Sequence, residues 1–164
     1  MAEQVDLHDR EAFDLAIRIG TSWVEIRRGA SMVAIRDHLF GTGADALELG
    51  MMDTLDLLAQ QDSWRMSELA EALRVDPSTA TRAVQRLVSA GLAERQPDPD
   101  DGRVVVVVIS RAGRRRHHQI NLRRAAIMSH LLAAFTPEER PQLAEFLERF
   151  VTAVDKFVAD LDER

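Results

Sequence analysis

Asp76-Pro77 closes one helical pattern and opens another, and this pair constrains the fold more than any other feature of the chain. An aspartate at a helix start accepts hydrogen bonds from orphan backbone N–H groups. A proline is welcome at the first helical position, where its missing N–H would have had no partner. Before the break, Leu69, Ala70 and Leu73 recur at helical spacing, with Ser67 placed to cap that helix. After it, Ala80, Val84, Leu87 and Val88 share one face, and Gly91 supplies a stop. Two short helices joined by Arg74-Val75-Asp76 predict a helix-turn-helix.

The outer face of the second helix carries Ser78, Thr79, Thr81, Arg82, Gln85 and Arg86, with no acidic residue between Pro77 and Gly91. An ordinary solvated face would mix glutamate with arginine. A face made only of hydrogen-bond donors fits phosphates and base edges. Ser78 and Thr79 fall in the first turn, where free N–H groups and the helix dipole favour phosphate. Arg82 and Gln85 are best placed for base edges, arginine for guanine and glutamine for adenine. Each of the six has the competing reading of a plain phosphate contact or an exposed side chain.

The residues after this helix read as a hairpin. Leu92 to Gln96 is a short strand, Pro97 to Gly102 is turn chemistry, and Arg103 to Ile109 (RVVVVVI) is a β-branched returning strand. Trp64-Arg65-Met66 is expected to add a short strand edge. A hairpin directly after a DNA-reading helix is a wing, and the unit becomes a winged helix-turn-helix. The order SELAEAL, DPSTATRAVQRL, GLAER, DPDDGR and ISRAGR resembles the MarR family of bacterial transcriptional regulators over about Gly50 to Arg124. The combination in this order carries the resemblance; the flanking helices match in length and order alone.

The resemblance implies several further assignments. Thr81-Arg82 matches the T-R of the family's recognition helix, and Asp101-Gly102-Arg103 matches its D-x-R element, in which an Asp–Arg pair braces the wing. Relatives often carry a basic residue where Gly102 stands, and Asp98, Asp100 and Asp101 make this tip acidic, so Arg103 is left to brace or to reach the minor groove. The family commonly binds small aromatic or phenolic acids between its dimer helices and winged lobe; Trp23, Arg27, His38, Met52, Asp53 and Trp64 are the candidates for such a crevice. Tryptophan and methionine at such places are more often core. Asp53, inside the apolar run LGMMDTLDLL, would need a partner. The peroxide-sensing cysteine of some relatives is excluded, because the chain has no cysteine.

The net charge of −6 at first opposes DNA binding, but its distribution favours it. Residues 64–124 carry 12 Arg against 7 Asp and Glu, a local +5, while the rest carries 9 basic against 20 acidic residues, −11. A basic segment in an acidic chain is the footprint of a local DNA surface. No apolar run reaches membrane length and the N-terminus is too polar for a signal peptide, so a cytoplasmic protein is expected, without membrane contact. His8, His38, His117, His118 and His130 have no ligand spacing, so no metal and no other cofactor is expected. No nucleophile triad or phosphate loop suggests an enzyme.

Residues 9–40 read as one long helical segment, weakened at Gly20 and at Gly29-Ala30-Ser31. Gly41-Thr42-Gly43 is a linker, and the next helix is capped by Asp45 or begins at Leu49. Ser110 caps a long helix running to about Phe135, and its run Arg114 to His118 reads as a solvated face, with phosphate or acidic-ligand contact as the rival. Thr136-Pro137-Glu138-Glu139 fits a capping box. The last helix has an apolar stripe from Leu143 to Leu161 with too little core of its own to cover it, and the family resemblance implies that the terminal helices interlock with a second copy.

The expected fold is mainly α with a small β wing, a winged helix-turn-helix with N- and C-terminal dimerisation helices. Residues 1–43 form the N-terminal dimerisation segment, 44–110 the DNA-binding lobe and 111–164 the C-terminal dimerisation helices. The expected function is that of a homodimeric regulator on a pseudo-palindromic operator in double-stranded DNA, a repressor released by a small aromatic or phenolic ligand. One rival is a non-sensing architectural DNA-binding protein, which would show little sequence preference. Another is a protein–protein interaction module, which would need exposed apolar anchors on the face between Pro77 and Gly91.

Overall fold

Capping residues set most of the helix ends along the chain. The computed structural model describes residues 5–43, 46–99 and 101–162; Asp45 as a cap and Asp100 at the wing tip lie outside the described residues. The elements run α1 (Arg10–Arg28), α2 (Ala30–Phe40), α3 (Leu49–Leu58), β1 (Trp64–Arg65), α4 (Met66–Leu73), α5 (Pro77–Ser89), β2 (Ala93–Pro97), β3 (Val105–Ile109), α6 (Arg111–Leu132) and α7 (Glu139–Asp162). The strands form one antiparallel sheet in the order β1-β3-β2, so the returning strand is central and Trp64-Arg65 is the short third edge.

The expected weak point of the first helical segment resolves at Gly29, not Gly20. Gly29 takes an extended conformation between α1 and α2, its N–H donates to the Glu25 carbonyl at 2.7 Å, and a Cβ there would come within 2.6 Å of that oxygen. Ser67 does not cap α4. The short strand runs straight into the helix, so Arg65 occupies the cap position, and the Glu68 carboxylate accepts from its backbone N–H at 3.1 Å. Arg103 is not in a strand either, because β3 begins at Val105.

The chain forms two compact units, Met1–Ile120 and Asn121–Arg164. In the first, Met52, Leu55 and Leu58 of α3 are buried with Leu69 of α4, Val84 and Leu87 of α5, Val107 and Ile109 of β3, and Ile120 of α6. Fully burying one such side chain contributes about 1.5–3 kcal/mol, so this core of four helices and a sheet holds α5 against the wing. α1 has no buried residue, and Phe13, Ile17 and Val24 are exposed along it.

In the second unit, the Thr136 hydroxyl accepts from the Glu139 N–H at 3.3 Å while the Glu139 carboxylate accepts from the Thr136 N–H at 2.8 Å. This is the capping box read from the sequence. Arg140 Nε donates to the carbonyls of Leu132 and Phe135 at 3.0 and 3.2 Å, which satisfies the chain just as α6 ends. The apolar stripe of α7 is exposed along its length, with Phe146 at 59% and Phe157 at 63%. Among the described residues, no helix is long and apolar enough to cross a membrane.

Candidate nucleic-acid interface

The turn before α5 is tight. Arg74 adopts a left-handed conformation at φ 54°, and Val75 N–H reaches back to the Ala70 carbonyl at 3.2 Å. Asp76 then accepts four hydrogen bonds: from the backbone N–H groups of Ser78 and Thr79, both at 3.0 Å, and from their hydroxyls at 2.5 and 2.6 Å. These bonds, the Ser78 and Thr79 hydroxyls foremost, hold the Asp76 carboxyl well below the usual carboxylate range. At the other end, Leu92 N–H donates to the Leu87 carbonyl at 2.8 Å and Gly91 N–H to Val88 at 2.9 Å, with Gly91 at φ 69°. That is a Schellman closure, which needs a residue without a Cβ penalty.

Ala80, Val84 and Leu87 are buried, so the opposite face of α5 is the free one. Ser78, Thr81, Arg82, Gln85 and Arg86 are exposed there and Thr79 is partly exposed. The three hydroxyl protons of the face are spent locally: Ser78 and Thr79 on Asp76, and Thr81 on the Pro77 carbonyl at 2.7 Å. Arg82 Nη2 donates to Thr79 Oγ1 at 3.1 Å, which leaves most of its donors outward. Arg86 pairs with Glu48, the residue preceding α3, so its guanidinium is drawn toward the body of the lobe. Outward donors remain on Arg82 and Gln85, and on Arg86 those that Glu48 does not take.

The wing is braced differently from the expected Asp101–Arg103 ion pair. Asp101 accepts from the backbone N–H of Arg103 at 3.1 Å, and the ion pair joins Arg65 of β1 to Asp98 at 3.1 Å. Asp98 is the more sheltered partner, its side chain 11% exposed. Arg65 stands opposite Val106, at the outer edge of the sheet, and from there it reaches the end of β2. Arg103 is exposed in the turn.

The six crevice candidates are dispersed. Met52 is wholly buried in the core, and Trp64 packs against that core with its indole N–H donating to the Leu57 carbonyl at 2.9 Å. Trp23, Arg27, His38 and Asp53 are exposed. Asp53 is therefore not a carboxylate inside an apolar environment. Asp56, three residues on, is partly buried and meets His117 Nε2 at 3.0 Å. Arg116 donates to the Phe40 carbonyl at 2.9 Å. Two of the five residues of the basic run, Arg116 and His117, thus face inward, while Arg114, Arg115 and His118 remain exposed. The signal lay in spacing: buried Gly113 and Ile120 stand at i and i+7 with Arg116 and His117 at i+3 and i+4, one face of a helix.

A groove of about 590 Å³ opens beside these residues, lined among others by Leu47, Met51, Leu92, Arg86 and Arg116.

The family model for MarR matches residues 47–105, the span from the start of the lobe to the first residue of β3. Among curated proteins, YxaD of Bacillus subtilis, an HTH-type transcriptional regulator, is 31% identical over 57% of this chain and 67% of its own length. The chain belongs to the MarR family. It is thereby a transcriptional regulator of the DNA-binding type. A second B. subtilis HTH-type regulator, YdgJ, is 28% identical over 66% of this chain and 66% of YdgJ, just under two thirds of that protein. Streptococcus pneumoniae FabT, solved in complex with DNA, shares the fold with a TM-score of 0.75 at 20% identity, over 87% of this chain and 99% of FabT.

Proposed function

We propose that this MarR-family chain acts as a cytoplasmic homodimeric repressor that places α5 in the major groove of each half of a pseudo-palindromic operator. The observation that carries this reading is the free face of α5, where Arg82 and Gln85 stand outward on a helix without an acidic residue and fixed at both ends. Arg82 supplies a bidentate contact to guanine, and Gln85 reads the neighbouring base edge. Ser78, Thr79 and Thr81 border the phosphates, Arg86 adds charge behind them, and Arg103 in the turn of the wing follows the backbone. One helix reads too few bases for useful specificity, so two copies are required. The apolar faces of the terminal helices in residues 1–43 and 111–164 supply the surface they share.

The regulatory part of the proposal places a small aromatic carboxylate in the groove beside Met51, Leu92 and Arg116, which has the volume of a ligand site, an apolar wall and a guanidinium. The test is binding to DNA flanking the protein's own gene over a range of salt, with and without aromatic carboxylates. About eight phosphates neutralised per dimer give a slope of log K against log salt of about −7, at roughly −0.9 for each phosphate. A slope near zero on the best DNA found would overturn DNA reading. Unchanged binding across a panel of aromatic carboxylates would overturn the ligand.

A further inference from the structure

We infer that Arg95, on β2, is a specificity-determining residue: it converts Gln85 from an adenine reader into a reader of bases that present only acceptors. The inference rests on the proposal that the free face of α5 meets base edges. Gln85 Oε1 accepts a hydrogen bond from Arg95 Nη1 at 3.2 Å. Arginine has donors and no acceptor, so the amide atom facing it is the oxygen, whichever way the amide is drawn.

The sheet puts Arg95 there by register. Arg95 pairs with buried Val107 of β3, two residues beyond buried Ala93, so its side chain leaves the sheet on the face that packs toward the helices. Ala93 ends in the core. Arg95 lies one step further out and is exposed, where the strand outruns the core and its guanidinium passes along α5.

A glutamine recognises adenine with two bonds: its oxygen accepts from N6 and its NH2 donates to N7. The bond from Arg95 takes one of the two lone pairs of Oε1 and sets a positive guanidinium beside the other, so the pair presents the Gln85 NH2 and the remaining Arg95 donors against a single acceptor position. Adenine N6–H and cytosine N4–H then compete for one lone pair beside a guanidinium that repels their donor hydrogens, and a donor poorly paired at an interface is costly. Guanine presents N7 and O6, and thymine presents O4; all are acceptors. The free N–H groups of Arg95 enlarge the same donor set. The wing thereby influences recognition through a major-groove side chain, separately from any contact of its tip.

The experiment measures base preference at every position of a half-site, by competition among operators carrying each of the four bases, for the intact dimer and its Gln85→Ala, Arg95→Ala and Arg95→Lys variants. The position that loses its preference in Gln85→Ala should favour guanine or thymine over adenine in the unaltered protein. Arg95→Ala should shift that same position toward adenine by about tenfold, the size of one bidentate contact. Arg95→Lys, which retains a donor for Oε1, should keep the original preference. A position that already favours adenine, or one that Arg95→Ala leaves unchanged while Gln85→Ala erases it, overturns the inference alone. If Gln85→Ala alters no position, the base-contact role of Gln85 fails and the inference falls with it.

Discussion

The Ser110 hydroxyl donates to the Gly91 carbonyl at 2.6 Å and accepts from the Gly113 N–H at 2.9 Å. One buried side chain thus ties the end of α5 to the start of α6. Ser110→Ala leaves the Gly91 carbonyl without this partner and removes the cap of α6. The expected loss is about 1–3 kcal/mol of unfolding free energy, read by urea denaturation. A change within error would show that solvent replaces the hydroxyl without cost.

Gly113→Ala tests the same junction sterically. A Cβ at this position would lie 2.0 Å from the Leu92 carbonyl oxygen, which is backbone and cannot swing aside. Either α6 or the turn after α5 must shift. The expected outcome is destabilisation by about 1–3 kcal/mol, the range of overpacked sites, with weakened operator binding because the shift is transmitted to α5. A fully stable protein with unaltered DNA affinity would contradict the close packing.

Asp76 makes the stability of the lobe sensitive to acid. Its folded carboxyl is held below the range of an unfolded aspartate, so both states are ionised at neutral pH and the stabilisation is complete there. Below roughly pH 4, near the ordinary aspartate value, the unfolded chain takes up the proton first, and the stabilisation falls away as pH drops toward the lowered folded value. Asp76→Asn keeps a capping side chain but not the charge. Denaturation of both proteins at several pH values should show the parent more stable at pH 7 and the gap closing in acid. A gap that does not vary with pH would mean that the charge of the cap contributes nothing.

Arg82→Ala should harm recognition more than Arg103→Ala. Arg82 stands on the free face of α5, and losing a bidentate guanine contact removes about 1–3 kcal/mol of discrimination at one position per half-site. Arg103 is exposed in the turn, and Asp101 holds its backbone rather than its guanidinium. Its loss should weaken all sequences about equally. Competition between operator and scrambled DNA distinguishes the two effects, and loss of sequence preference in Arg103→Ala with retention in Arg82→Ala would make the wing the reader.

Removing residues 136–164, or placing glutamates at Phe146 and Phe157, should abolish the dimer. Both phenylalanines are more than half exposed on a continuous apolar stripe that water solvates poorly. Sedimentation velocity gives the answer, and the double Phe→Glu variant tests the interface with α7 still present. A dimer that survives both changes would place the interface elsewhere.

The order of elements was legible in the residues themselves, because it depends on local rules. Asp76-Pro77, Gly91, Ser110 and the Thr136–Glu139 box each act within a few positions of the chain, and the apolar residues of α5 repeat at the helical period. The character of the free face of α5 comes from the same period. The tertiary structure decided which of those donors remain available. Arg86 pairs through one N–H with Glu48, 38 residues away; Gln85 is engaged by a strand; Arg65 rather than Arg103 supplies the ion pair of the wing; and Asp56 meets His117, 61 residues away. A side-chain pair across tens of residues depends on strand register and on the rotation of packed helices, and no local pattern encodes either. The cap of α4 moved from Ser67 to Arg65 for the same reason, since a strand paired to β3 runs directly into the helix.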